Sequence, residues 1–338
     1  MIQSLPISVA LFIIAAVVIA SVGIKMSKVS DCLADRTGLG EAVMGAVFLG
    51  GSTSLSGIVT SVTAAAGGHA ELAVSNAVGG IAAQTAFLAI ADIFYKKANL
   101  EHAAASVVNL VQGTLLMTLL SIPLIGMSGP QVEVWGIHPA TIVLIAAYLF
   151  GLRLVSRSQE TQMWSPRRTR ETSIDEPDNH RAKSSTTKLW FKFVLYAAVV
   201  AIAGYVIARS GVSIAGQTGF SESVVGGLFT AVTTSLPELV TTVAAVRQGA
   251  LTLGVSGVIG GNCFDLLLLA FSDIAYRQGS IYTAIANRQI FVMALTILMT
   301  GILLLGLLER EKHGIGNIGF ESVLILLIYG GGVIMLFI

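Results

Sequence analysis

Charge is scarce in this 338-residue chain: Asp, Glu, Lys and Arg together make up 12%. Cysteine occurs twice, at Cys32 and Cys263, which excludes a disulfide framework and leaves no zinc-ligand spacing. HExxH, the GxSxG nucleophile elbow and the phosphate-binding P-loop are all absent, so no catalytic centre is visible and no cofactor is expected. The net charge of +1 provides no bulk attraction to nucleic acid or another acidic partner. What fills the chain instead is apolar: 54% of residues are hydrophobic. A soluble domain has nowhere to hide that much apolar surface.

Apolar runs of about 20 residues match a ~30 Å hydrocarbon core. Ten such runs are present, near residues 5–24, 41–65, 70–94, 103–126, 138–155, 189–208, 222–246, 250–275, 288–308 and 318–338. The expected fold class is an all-α membrane protein with the lipid bilayer as its surroundings. The first run lacks a basic leader and a small-residue cleavage site, and is expected to be a retained helix. Ten spans sort the loops onto two sides. Seventeen of the twenty Lys and Arg residues fall on one side; only Arg209, Arg277 and Arg288 fall on the other. Basic loops stay cytoplasmic, so both termini are expected outside. The short loops point to a prokaryotic plasma membrane. Oligomeric state has no signal in the sequence.

A shift of 181 residues aligns 45–93 with 226–274 without a gap, at 19 identities in 49 positions. Thr53-Ser54-Leu55 meets Thr234-Ser235-Leu236, Gly79-Gly80 meets Gly260-Gly261, and Asp92 meets Asp273. The chain is a duplicated five-helix unit: residues 1–155, a polar basic linker at 156–188, and residues 189–338. Five is odd, so the second unit enters the membrane inverted (5+5). Inverted repeats are the signature of secondary transporters, whose substrate sites lie near the midplane between the repeats. The linker reads as a plain cytoplasmic tether, with a regulatory or anionic-lipid-binding loop as the alternative.

The chemistry concentrates in "TTSLPELVTT", residues 233–242. Glu238 sits mid-helix, where an ionisable group is costly and marks function by default. Pro237 before it breaks the helix and frees carbonyls. Thr234 and Ser235 add hydroxyls. On the next helix Asn262 and Asp265, three apart, share a face. Carboxylate, hydroxyl, amide and carbonyl oxygens together suit a hard cation. No basic residue is available mid-membrane to make Glu238 a structural ion pair. Asp92 and Asp273 lie near helix ends and are expected to be solvated or capping acids. His69 and Glu71 are expected to be surface residues of a turn.

"TTSLPELVTTVAAVRQG" followed by "GVSGVIGGNCFDLLLL" resembles the second α-repeat of the cation/Ca²⁺ exchanger superfamily, the sodium/calcium exchanger-like transporters. The resemblance extends over essentially the whole chain. It implies that Glu238 and Asp265 are metal-ligating acids, assisted by Thr234 and Ser235, with Asn262 beside them. It also implies alternating access by sliding helices 1 and 6, where Ala15, Ala16, Ala201, Ala203 and Gly204 suit close contact. The first half keeps Thr53 and Ser54, and Asn76 and Gln84 offer amides. It departs at Ser56 and Gly57, which replace Pro-Glu, and at Gly80; Gly261 departs likewise in the second half. Gln84 stands where Asp265 stands in the other copy. The site is therefore expected to be asymmetric, with two acids from one repeat and a small void at Gly57.

The leading reading is a secondary-active antiporter exchanging Ca²⁺, or a monovalent cation such as Na⁺, against Na⁺ or H⁺. The alternative is a non-transporting or regulatory membrane protein on a degenerate exchanger scaffold.

Overall fold

The computed structural model describes residues 4–37, 48, 50–95, 98–130, 132–160, 185–249, 251–314 and 318–338. Among these, all regular structure is helical apart from one isolated bridge between Val134 and Ile137. The first half contains α1 (Leu5–Thr37), α2 (Leu55–Ala66), α3 (Ala70–Phe94), the short α4 (Leu100–Ala103), α5 (Val107–Ser128) and α6 (Pro139–Glu160). The second half contains α7 (Thr186–Thr218), then α8 (Glu222–Val224), a π-helix (Val225–Thr230) and α9 (Ala231–Thr234). It continues with α10 (Leu236–Gln248), α11 (Leu251–Ala275), the short α12 (Ile281–Ala284), α13 (Asn287–Glu309) and α14 (Phe320–Leu336).

Among the described residues seven helices are long and apolar enough to cross a membrane, and the bent run Glu222–Arg247 makes an eighth. Two shorter apolar helices, Leu55–Ala66 and Phe320–Leu336, complete the ten spans. Helices α1 and α7 run 33 residues each, well beyond the apolar cores at 5–24 and 189–208. At 1.5 Å per residue that is about 50 Å, so both outrun the hydrocarbon core. No glycine or proline interrupts α1 after Gly23, and the helix simply continues through its polar end. Gly219 and Gly249, both with positive φ, end α7 and α10 in the left-handed conformation that closes a helix. Most of the linker (161–184) lies outside the described residues, as do residues 45–47 and 49 of the first α-repeat.

The layers follow from burial. Helices α3 and α11 are 83% and 72% buried, against 22% and 28% for α1 and α7. The core pair is therefore α3 and α11, and the long pair forms a lipid-facing flank. Ala15, Ile19, Ala203 and Ile207 join α1 to α7. Gly204 faces the core instead: a Cβ there would stand 2.8 Å from the Ser56 carbonyl, and Thr60 donates to the Gly204 carbonyl at 3.0 Å. The flank thus meets the core across a small-residue surface.

The two halves are locked to each other by a matched pair of acids. Asp92 accepts from the backbone N–H of Leu100 (2.7 Å) and of Gly319 (3.1 Å). Asp273 accepts from Ile281 N–H (2.8 Å) and His138 N–H (2.9 Å). Every residue in the second set is the 181-residue counterpart of one in the first. Each acid caps its own following short helix and also seats the last helix of the opposite half. Of the two expected roles, capping holds and solvation does not: both acids are fully buried. Asp273 additionally accepts from Thr141 Oγ1 (2.6 Å) and Ser280 Oγ (3.1 Å).

Candidate cation site

Both site helices are broken at matching positions. Residues 50–53 are helical, Ser54 interrupts, and α2 resumes at Leu55; α9 ends at Thr234, Ser235 interrupts, and α10 resumes at Leu236. The hydrogen bonds around the two breaks correspond: Ser54 N–H to Gly50 O and Ile58 N–H to Ser54 O, then Ser235 N–H to Ala231 O and Leu239 N–H to Ser235 O. The second break bends its span by 45°. Proline was the expected cause. It contributes in the second half, where Pro237 sits in the first turn of α10. The first half breaks at Ser54 with Ser56 in the proline's place. Ser56 instead spans the interface and donates its hydroxyl to the Thr234 carbonyl, at 3.1 Å.

The breaks face each other across α3 and α11. Asp265 accepts from Ser54 Oγ on one oxygen and from Gln84 Nε2 on the other, at 2.7 Å. Gln84 Nε2 also reaches Ser235 Oγ at 3.2 Å. Since Ser54 pairs with Ser235 and Gln84 with Asp265 in the duplication, these four side chains sit around the pseudo-twofold axis. Asn76 accepts from Thr230 Oγ1 (2.7 Å) and Thr234 Oγ1 (3.5 Å), and donates to Ser61 Oγ (2.9 Å). A cavity of about 10 Å³ lies inside, lined by Ser54, Asn76, Gln84, Thr234, Ser235, Glu238 and Asp265 among others.

Two predicted ligands stand apart from this cavity. Thr53 turns its hydroxyl back to the Gly50 carbonyl at 3.1 Å. Asn262 donates to Thr85 Oγ1 at 3.2 Å. Gly80 lines the cavity, while Gly261 lies beside Gln84 Oε1, which a Cβ there would meet at 3.8 Å. The void expected at Gly57 is part of this cavity, which Gly57 lines together with Glu238; Leu268 narrows it, its Cδ2 standing 3.0 Å from where a Cβ at Gly57 would be.

Glu238 Oε2 and Gln84 Oε1 are buried without a hydrogen-bond donor. Native interiors seldom leave buried acceptors unpaired. Orphaned acceptors in one cavity, beside a second carboxylate, present the field that a cation compensates. Among the described residues no group of three or more His, Cys, Asp or Glu side chains is placed to hold a metal ion.

A polar chain missed by the sequence reading includes Ser75, the residue before Asn76 on α3. Gln289 Nε2 donates to Ser75 Oγ (2.9 Å) and Ser223 Oγ (2.8 Å), and Ser223 donates to Glu71 Oε2 (2.8 Å). His69 and Glu222 pair at 2.6 Å nearby. His69 and Glu71, expected as plain surface residues, are half-buried members of this network. The available signal was Gln289 itself, a polar residue opening an apolar run.

Two inverted halves, two broken helices and an oxygen-lined cavity between them define a membrane transporter of the inverted-repeat class. The sequence profile described as "Sodium/calcium exchanger protein" matches residues 7–157 and 188–338, and the chain belongs to that family. Its members are transporters, not enzymes. A 99-residue stretch is 35% identical to the sodium/calcium exchanger MaX1 of Methanosarcina acetivorans, covering 29% of this chain and 28% of that protein. Among solved structures, the H⁺/Ca²⁺ exchanger CAX superposes with TM-score 0.65 at 12% identity, over 98% of this chain and 85% of that one. The sodium-calcium exchanger NCX_Mj superposes with TM-score 0.62 at 18% identity, over 98% and 99%. At these identities the superpositions establish the shared fold alone.

Proposed function

We propose that this protein is a secondary-active cation antiporter working by alternating access, with one asymmetric site at the membrane midplane. Glu238 and Asp265 are the charged ligands; Gln84, Ser54, Thr234 and Ser235 complete the oxygen set, and Asn76 orients Thr234. The observation that carries this reading is the pair of unpartnered acceptors, Glu238 Oε2 and Gln84 Oε1, aimed into the cavity that Asp265 shares. The cargo is Ca²⁺ or a monovalent cation such as Na⁺, and the exchanged ion is Na⁺ or H⁺. Ca²⁺ takes roughly six to eight oxygens, which this lining can approach. The moving body is the α1–α7 flank, sliding across the surface at Gly204 and Ser56. The charge bias of the loops supports a cytoplasmic linker with both termini outside, and the short loops support a prokaryotic plasma membrane.

The test is uptake of radioactive calcium and sodium into proteoliposomes under imposed Na⁺ and H⁺ gradients, with Glu238→Gln as control. Gradient-driven uptake that is lost in Glu238→Gln supports the reading. Full activity of a folded Glu238→Gln protein overturns the site. No flux of either ion turns the reading toward a non-transporting scaffold, which the glycine at position 57 in place of the motif's glutamate favours.

A further inference from the structure

The seats built on Asp273 and Asp92 match in the backbone but differ in the side chains beside them. At the first, Thr141 donates to Asp273 and, at 3.4 Å, to Tyr282 Oη. Tyr282 and Ala140 are neighbours there: a Cβ on Gly126 would meet Ala140 Cβ at 2.9 Å and Tyr282 Cδ1 at 3.3 Å. The counterparts of these two residues, beside Asp92, are Glu101 and Glu321. So one end of the molecule carries a neutral pair where the other carries two acids. A third change makes room for them. Gly306 stands where the other half has Ile125, and a Cβ there would collide with the Glu321 side chain.

Glu101 on α4 and Glu321 on α14 are each 1% exposed. Their carboxyl groups lie within hydrogen-bonding reach of each other. Neither oxygen of Glu101, nor Oε2 of Glu321, receives an N–H or hydroxyl donor. Two carboxylates repel and have no hydrogen to share. A carboxylic acid and a carboxylate make one short, strong bond with a single proton. The charges acting on Glu101 are those of Asp92 and Glu321, and Glu321 also feels Glu311. Of the basic residues at this junction, Arg310 and His102 each reach the other's main-chain carbonyl, at 3.3 and 2.6 Å. Burial first, then the neighbouring carboxyls, raise the affinity of Glu101 for a proton.

We infer that Glu101 and Glu321 bind one proton between them, at a site separate from the cation cavity, and that this shared proton latches α14 to α4. The proton comes from water on the side that carries Lys96, Lys97, Arg310 and Lys312. On deprotonation it returns to water and leaves two carboxylates. Their repulsion acts against the Asp92–Gly319 bond that seats α14. The far end of α14 meets the π-helix, where a Cβ on Gly227 would stand 3.6 Å from Leu336 Cδ1. The latch therefore braces a helix that reaches the broken span of the cation site.

The experiment uses the full-length protein in detergent, from about pH 5 to about pH 9. Hydrogen exchange, corrected for the intrinsic effect of pH, reads the protection of the first turns of α14. Protection is expected to fall at least about tenfold across this range in the parent, and to stay level in Glu101→Gln and in Glu321→Gln. Infrared spectra read the proton itself. The parent is expected to lose the band of one buried carboxylic acid as the pH rises, and both variants to lack that band throughout. Each variant removes the pair, so either one carries the test where the other fails to fold. Level protection in the parent, or a carboxylic acid band that survives in either variant, overturns the inference. Calcium or sodium that restores protection at alkaline pH assigns the site to a cation and overturns the proton. Neither readout involves flux, so failure here leaves the antiport standing.

Discussion

The side-chain amide of Gln84 donates to Asp265 at 2.7 Å, and the two residues are each other's counterparts in the duplicated chain. An amide and a carboxylate thus meet where a symmetric chain would set two identical groups. In Gln84→Glu the donor becomes a second carboxylate against Asp265. The ion-free protein is expected to lose stability, and calcium to raise its melting temperature more than it raises the parent's. Thermal unfolding in detergent, with and without calcium, checks both.

Asp273 accepts four hydrogen bonds and Asp92 two, all from buried groups. Hydrogen bonds to charged groups are worth about 1.5–3 kcal/mol each. Asp273→Asn is expected to cost about 3 kcal/mol, since the amide keeps part of the bonding. Asp92→Asn is expected to cost less. Equilibrium unfolding of the two variants side by side gives the ranking, and equal losses contradict it.

Glycines matched by the duplication differ in what surrounds them. A Cβ at Gly79 would lie 2.5 Å from the Gly227 carbonyl oxygen, a backbone atom that cannot step aside. At its counterpart Gly260 the nearest atom is Gln112 Nε2, at 3.1 Å and on a flexible side chain. Gly79→Ala is expected to lower the melting temperature by several degrees and Gly260→Ala to leave it nearly unchanged. Comparing the two melting curves decides the matter.

Glu101, in the short helix α4 between spans, is 1% exposed and both its carboxyl oxygens lack a donor. Burial holds its pKa well above the ordinary 4.5, and the carboxyls of Asp92 and Glu321 push it further up. The folded protein therefore binds this proton more tightly than the unfolded chain does. Its contribution is fully present below about pH 4.5 and is lost as the pH rises toward the folded-state value. Glu101→Gln is expected to flatten the pH dependence of stability and to raise stability at alkaline pH. Melting temperatures from pH 5 to pH 9 test the sign.

The ten spans, the duplication and the acids Glu238 and Asp265 were legible because they rest on run length and on matched residue types along the chain. What escaped depends on groups far apart in sequence. Nothing in "STSLSG" announces a helix break, since the Ser56–Thr234 bond that accompanies it comes from the other half. Thr53 and Asn262 carry suitable oxygens, yet rotation about their helices gives them to Gly50 and Thr85. Asp92 and Asp273 lie near helix ends in the sequence, and only the fold sets Gly319 and His138 of the opposite halves against them. Leu268 is one of four consecutive leucines, and only the packing singles it out.

The reciprocal seating by Asp92 and Asp273 bears on how the molecule is made. The last helix of the first half is synthesised before the acid that anchors it, and Asp92 emerges long before Gly319. Neither five-helix unit is finished alone. Translation of the second half completes the first, and a lone ancestral unit with these contacts would have had to find its antiparallel twin among its neighbours in the membrane.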